Sequence, residues 1–474
     1  MDTVPSPDSI DPQTARRPAS LRSRRLTRAA ILVFIATRLV ILCAVEAPFS
    51  DVWYYFHYAE DAVDLQRTPY HDNFQIEYPP LAWWAMYAPR LLDARRVANV
   101  RNEAALAPVY DSYRAAFRGM MACADLLSFL AMLSIAGRKS PSLVGWAAIA
   151  YTLPTALLWN LLYDRLDAGL MLFLCAWALC FTRSLDERRS TIAWAAASYL
   201  ALGAGIAFKV VPIICVPILL LADLLDRRRV ARMTTGLPAL LVGAGVPFAA
   251  QYAMSGMGVF ALFGRHAGRG IQLDSSYGTV MLIGSWLGQA NAVSQADGAF
   301  NLSGPLASAL KVVASVMVLT LLLSALTLLL RSNGGRRLSY RLSCWVIAAA
   351  VIISNVFSPQ YLVWALPVLV LLALEILASR PTARWTLASA LVALAATTTW
   401  IFPYNYFFGA TDHPSRYGIV PLPLNGALAP SAVGYVVLGA RNLLYLVVVG
   451  WLGMILLRSV SPAADVDPPG VPRA

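Results

Sequence analysis

Apolar residues in this chain do not alternate with polar ones but arrive in blocks of about twenty, the length that crosses a ~30 Å hydrocarbon core as a helix. The blocks run over roughly 28–46, 114–137, 142–159, 167–183, 191–207, 210–225, 234–255, 306–330, 340–357, 361–379, 385–402 and 433–457. Strings such as Met317–Leu323 have no polar face, as expected where lipid or other helices surround a helix on every side. Without a closed barrel, only helices satisfy their own backbone groups in such a setting. The pattern therefore predicts an all-α polytopic membrane protein, a bundle of about twelve transmembrane helices.

The basic residues orient the bundle. Arg16, Arg17, Arg22, Arg24, Arg25 and Arg28 precede the first block. Every second connection after that is short and basic: Arg138-Lys139, Arg183 with Arg188-Arg189, Arg227–Arg229 with Arg232, Arg331 with Arg336-Arg337, Arg380 with Arg384, and finally Arg458. Positive residues favour the cytoplasmic side, so both termini are expected inside, in a multi-pass cell membrane protein. The outer connections differ in kind, and three are long, at about 47–113, 256–305 and 403–432. Loops of that size usually have work to do, and all four histidines (His57, His71, His266, His413) lie in them. Avoidance of lipid explains part of that placement, yet a site for a polar substrate belongs on this outer face.

Composition agrees. The 474 residues are 58% hydrophobic and 14% charged, too little charge to solvate the surface of a soluble enzyme. The net charge of +12 is spread over helix ends, which argues against nucleic acid as a partner. Six cysteines (Cys43, Cys123, Cys175, Cys180, Cys215, Cys344) fall inside apolar blocks without a C-x-x-C pair and read as small core residues rather than a disulfide or metal framework. Residues 1–26 and 459–474 are expected to be disordered tails around one transmembrane domain, 27–458. The first block reads as a retained helix rather than a cleaved signal.

The first outer loop is the richest stretch. It runs from Ser50-Asp51 through Trp53, Tyr54, Tyr55, His57 and Tyr58 to Pro69-Tyr70, and closes with Glu77-Tyr78-Pro79-Pro80-Leu81-Ala82-Trp83-Trp84. Aromatic density of this kind suits the headgroup level. A surface-lying helix is expected after Asp51, with a second starting at the Pro79-Pro80 pair. From position alone, Asp51 is as readily an N-cap for the first of these helices as a functional group.

An Asp just beyond the first membrane helix, then Pro-Tyr, then Tyr-Pro-Pro-Leu, resembles the GT-C membrane glycosyltransferases. The nearest likeness is to glycosyltransferase family 87, the polyprenyl-phosphate-mannose-dependent enzymes. Ser50-Asp51, Pro69-Tyr70 and Tyr78–Leu81 carry the resemblance. Tyr163–Asp167, Phe208–Pro212, Arg269–Ser275, Phe357–Trp364 and Arg441–Leu444 follow in the same order, so it spans roughly 30–458. The family often has Gly before the Pro-Tyr pair, where this chain has Arg67-Thr68, which implies a different local turn.

The resemblance implies transfer of a hexose, mannose in that family, from a polyprenyl-phosphate donor to a glycolipid or glycan acceptor, with inversion and without a cofactor. The leaving phosphate is already anionic and needs cations rather than a protonating acid. One base then suffices, in contrast to the carboxylate pair of glycosidases. Asp51 is assigned as that base. Arg269, Arg265 and Lys209 are candidates for the donor phosphate, because fixed cations stabilise charge in a water-poor site. Lys209 is equally well explained as a lysine snorkelling at a helix end.

Tyr78, His266, Asp164, Gln360 and Tyr361 are candidates for the sugar or acceptor. Trp83 and Tyr78 also suit interface anchoring, and Asp164 and Asp167 also suit a local ion pair with Arg165. No Asp-x-Asp or paired-histidine spacing supports a metal. Arg38, Asp125, Glu375 and Arg441 are charges inside helices, each needing a partner or a function, whereas Asp223 near an inner helix end suggests no special role. The competing reading is a multi-spanning transporter or lipid flippase without transferase chemistry, although no internal repeat of the kind common there is evident.

Overall fold

The computed structural model of the protein describes residues 12–45, 50–71, 74–92, 103–185, 191–226, 229–296, 299–332, 335–402 and 432–460. Each of the twelve apolar blocks falls on a helix. The first, α1 (Pro12–Ala44), is followed by two short helices in the first long connection, α2 (Val52–Val63) and α3 (Pro80–Leu91), where the aromatic stretch predicts them. Then come α4 (Glu103–Lys139), α5 (Pro141–Leu157), the single turn α6 (Trp159–Leu162), α7 (Asp167–Ser184) and α8 (Thr191–Phe208). A 3₁₀ turn at Val211–Cys215 leads into α9 (Val216–Leu225), and α10 (Arg229–Ser255) completes the first half.

The middle connection holds α11 (Ala261–Gly268), α12 (Ser276–Trp286) and the only strands among the described residues, β1 (Ile271–Gln272), β2 (Ala292–Ala296) and β3 (Ala299–Ser303). They pair antiparallel in the order β1-β3-β2, with Leu302 opposite both Ile271 and Val293. The bundle closes with α13 (Ala307–Arg331), α14 (Arg336–Ile353), α15 (Leu362–Ile376), α16 (Pro381–Ile401) and α17 (Ala432–Arg458). Local chemistry sets several starts. Pro80, Pro141 and Pro381 occupy first helical positions, where a missing N–H costs nothing. The hydroxyls of Ser140 and Ser275 cap α5 and α12.

By length and composition, six helices can each cross a membrane: Ser23–Ala44, Leu106–Lys139, Asp167–Ser184, Val230–His266, Ala307–Arg331 and Val433–Arg458. Shorter apolar helices at Ile192–Phe208, Val211–Leu225 and Tyr361–Ile376 pack among them. The chain is a multi-pass, all-α membrane protein. Its centre is α15, buried at every position from Leu362 to Leu374. By contrast, α13 presents Val312, Val316, Leu319 and Leu323 outward, the uniformly apolar surface that lipid covers.

The charges inside helices find partners. Arg38 pairs with Asp125 at 2.9 Å, Arg441 with Asp274 at 3.2 Å, and Glu375 with Lys139 at 2.5 Å and Arg341 at 3.6 Å. Asp223, to which the sequence gives no role, is a buried anchor, 2.7 Å from the Tyr199 hydroxyl and 3.2 Å from Arg336. Two other expectations change. The tail assigned to residues 1–26 is helical from Pro12 onward. All six cysteines are free, but Cys43 and Cys123 are exposed on the sides of α1 and α4 instead of lying in the core. The connection at 403–431, with His413, and residues 461–474 lie outside the described residues.

Helices α8 and α10 approach backbone to backbone. A Cβ on Gly203 would stand 2.4 Å from the Leu240 carbonyl, and one on Gly243 2.3 Å from that of Leu200. Small residues permit such crossings in membranes. Gly203→Leu is expected to lower stability by at least the ~1–3 kcal/mol typical of overpacking, seen as a lower melting temperature in detergent. Gly245→Ala, which meets only open space, should leave that temperature unchanged or raise it.

Candidate active site

The connections after α1, α5, α8, α14 and α16 gather at one end of the bundle. Asn160 donates to the Phe402 carbonyl at 2.7 Å there, and Asn355 to the carbonyls of Arg269 and Gly270 at 3.3 and 3.0 Å. At the other end, Trp146 donates to the Arg384 carbonyl and Arg336 to the Ser184 hydroxyl.

The centre of the first end is the turn joining α6 to α7. Tyr163, Asp164, Arg165, Leu166 and Asp167 are all buried, and each polar side chain takes a different partner. Tyr163 donates its hydroxyl to Asp125 at 2.7 Å. The Asp164 carboxylate accepts from Ser50 at 3.0 Å and pairs with Arg114 at 3.4 Å and Arg118 at 3.5 Å, while its carbonyl accepts the Asp51 N–H at 3.3 Å. Arg165 Nη1 donates to Asp51 at 2.5 Å and to Gln360 at 2.9 Å. Asp167 Oδ1 accepts from Lys209 at 2.6 Å and from the Trp364 indole at 2.9 Å.

Asp51 immediately precedes α2, yet its carboxylate makes no cap hydrogen bond, and Ser50 Oγ accepts the Val52 N–H at 3.1 Å instead. The capping explanation is thus taken over by the neighbouring serine, and the carboxylate faces the Arg165 guanidinium. One turn along α2, the Tyr55 hydroxyl reaches the same oxygen at 3.4 Å and the Tyr78 hydroxyl at 3.4 Å. The Asp51 side chain is 21% exposed, so an incoming hydroxyl can meet it. Burial holds this carboxyl above the ordinary carboxylate range, with Asp167 adding to the effect, while Arg165 and Lys209 oppose it. Burial also pushes the Tyr55 and Tyr78 phenols well above their ordinary value, which keeps both as neutral donors.

Two cations complete the ring. Lys209, just past α8, lies 4.8 Å over the Tyr361 ring as well as against Asp167. Arg269, just past α11, pairs with Glu77 at 2.9 Å. Arg265 and His266 are exposed on α11. The His266 ring bonds its own helix at the Leu262 carbonyl, 2.8 Å away, and Arg265 is felt electrostatically at Tyr58. That phenol is pushed up to about 12 by burial and by Glu77, with Arg265 opposing.

Of the residues singled out in the sequence, Asp51, Tyr78, Lys209, Gln360 and Tyr361 therefore belong to one neighbourhood, and Arg269 joins it through Glu77. Asp164 turns its carboxylate the other way, into a fully buried anchor under Arg114 and Arg118. Sequence reasoning missed Arg165 as the direct partner of Asp51, Glu77 as the partner of Arg269, and Tyr55. Arg165 between two acids and Glu77 beside Tyr78 were the available signals. Among the described residues, no group of three or more His, Cys, Asp or Glu side chains is placed to hold a metal ion.

No protein-family model matches the chain, and no curated protein does. Among solved structures it is similar to ArnT from Cupriavidus metallidurans bound to undecaprenyl phosphate, at 15% identity and a TM-score of 0.45 over 90% of this chain and 77% of that one. It is also similar to the Archaeoglobus fulgidus oligosaccharyltransferase in the apo form, at 12% identity and 0.39 over 89% and 56%. A third likeness is to AglB from the same organism with an inhibitory peptide and a dolichol-phosphate, at 13% and 0.36 over 78% and 55%.

Replacing Arg165 with Gln removes the principal charge that opposes protonation of Asp51. The ionisation midpoint of Asp51, followed as the carboxyl infrared band that disappears in Asp51→Asn, is expected to move to higher pH in Arg165→Gln. A midpoint that stays or falls would contradict the electrostatic arrangement described above.

Proposed function

We propose that this protein is an integral-membrane glycosyltransferase that moves a sugar from a polyprenyl-phosphate donor to the hydroxyl of a glycolipid or glycan acceptor. The observation that carries this reading is the partly exposed Asp51 carboxylate, with its raised proton affinity, set among three cations and three tyrosines at one end of a membrane bundle. The resemblance of the first loop to glycosyltransferase family 87 supports mannose as the sugar. The distribution of basic residues supports the outer face as the side of reaction, with both termini cytoplasmic.

The chemistry is a single displacement with inversion. The acceptor oxygen attacks the anomeric carbon as Asp51 takes its proton, and the bond from that carbon to the phosphate oxygen breaks. The electron pair leaves with the polyprenyl phosphate, whose charge Arg269 and Lys209 receive. Arg165 fixes Asp51 and lends no proton, since its guanidinium stays charged. A donor phosphate can draw Lys209 and Arg269 partly away from Asp167 and Glu77, because each cation has further N–H groups to offer. Tyr55 and Tyr78, as neutral donors, and Gln360 suit sugar hydroxyls, and the Tyr361 face suits the sugar ring.

With polyprenyl-phosphate-mannose as donor and octyl α-mannoside as acceptor, Asp51→Asn should cut transfer by the ~10²–10⁴-fold that a positioned base supplies, with unaltered expression. Arg269→Ala should raise the donor KM by about tenfold or more through the lost phosphate contact. Normal turnover in the Asn variant would remove Asp51 from the mechanism, and solute flux through proteoliposomes without donor would favour a transporter.

A further inference from the structure

Asp125 lies within α4, fully buried, and touches none of the groups assigned to substrate. Its carboxylate nevertheless collects donors from three other segments. Arg38 of α1 donates at 2.9 Å, Tyr151 of α5 at 2.7 Å, and Tyr163 of the turn before α7 at 2.7 Å. Arg38 is held in turn by the Thr152 carbonyl and the Thr155 hydroxyl of α5. A carboxylate in the membrane interior is retained only with such partners.

The three donors are not equivalent. Arg38 and Tyr151 sit on helices whose backbones are fixed by their own hydrogen bonds. Tyr163 sits on an irregular segment, which must be held by its side chains. Two residues further on is Arg165, and two beyond that is Asp167.

We propose that Tyr163, anchored on Asp125, is a positioning residue that sets the register of the Asp51–Arg165 and Asp167–Lys209 pairs. Losing its hydroxyl frees the turn at its membrane side. Arg165 then meets Asp51 less closely, and the carboxylate loses the charge that most opposes its protonation. The groups facing Asp51 are Arg165 from the turn, Tyr54, Tyr55 and Tyr58 of α2, Tyr78 before α3, Asp167 of α7 and Lys209 after α8. Of these, Arg165 opposes protonation of Asp51 most strongly. The kinetic part of this inference rests on the transferase reading.

The test compares Tyr163→Phe with Tyr151→Phe in full-length protein. Each removes one hydrogen bond of 2.7 Å from the same carboxylate, and Tyr151→Phe also gives up the 3.1 Å contact with the Asp125 carbonyl, so a purely structural hub predicts an effect at least as large in Tyr151→Phe. Positioning predicts that, in the mannosyl-transfer assay, only Tyr163→Phe lowers kcat, by about tenfold, and moves the acid limb of the rate profile to higher pH. Both variants should melt at similar temperatures. Equal kinetics in the two variants, or a Tyr163→Phe profile matching wild type, would overturn it. The Asp51 infrared midpoint gives the same comparison without turnover, rising in Tyr163→Phe alone. A wild type that transfers no sugar therefore defeats the transferase reading, while the midpoint still decides whether Tyr163 positions the turn.

Discussion

Between the single turn α6 and the helix α7 the chain has four residues, Tyr163 to Leu166, and it buries all of them. A buried turn must satisfy its polar groups without water. This one does so by reaching down to Asp125 with Tyr163, across to Ser50 and the Asp51 backbone with Asp164, and forward to Asp51 and Gln360 with Arg165. Asp167, opening α7, then fixes Lys209 and Trp364. Helix α4, the starts of α2 and α15 and the end of α8 thus meet at this end of the bundle on one short segment. The candidate base is located by the same bonds that keep the turn folded.

Charge is handled differently at two depths. Within the bundle, the Arg38–Asp125 pair is almost fully shielded, and breaking it would leave an uncompensated buried charge. At the candidate site the pairs are partly open: Asp51 is 21% exposed, and Arg269 and Glu77 are each 17% exposed. An ion pair with one face open holds its cation in place before any ligand arrives, yet leaves donors free to turn toward a new anion. Such preorganisation means little reorganisation at the moment of reaction.

The membrane class was legible in the sequence because a block of about twenty apolar residues admits few alternatives. The helices α2 and α3 were legible for a local reason, a run of aromatic residues followed by Pro79-Pro80. Asp51, Lys209, Arg269 and Gln360 stood out because they fall in the segments that carry the resemblance to glycosyltransferase family 87. Their pairing was not legible. Arg165 and Asp51 are separated by 114 positions and Arg269 and Glu77 by 192, and nothing in local periodicity reports which loops meet. The same limit applies to Asp164, since Arg165 beside it faces Asp51 while its own carboxylate turns to Ser50, Arg114 and Arg118. The small sheet escaped notice because its strands are short and lie within a loop.

The site has a second wall, and its anchoring differs instructively from the first. Arg269 is held by Asn355 through its main chain, and β1 continues to Asp274, where Arg441 and Asn442 of α17 take hold. Burial raises the Asp274 carboxyl to about 6, with Arg441 opposing. The ion pair alone would therefore weaken as the pH falls through that value and the carboxyl takes up a proton. The wall does not hang on it alone, because Arg441 Nη2 and Asn442 Nδ2 also donate to the Asp274 carbonyl, at 2.6 and 3.0 Å. A carbonyl does not titrate. One wall is thus fixed through a buried carboxylate that no donor-facing group touches, and the other through a main-chain oxygen. In both, a membrane helix carries the anchor and an irregular segment carries the chemistry.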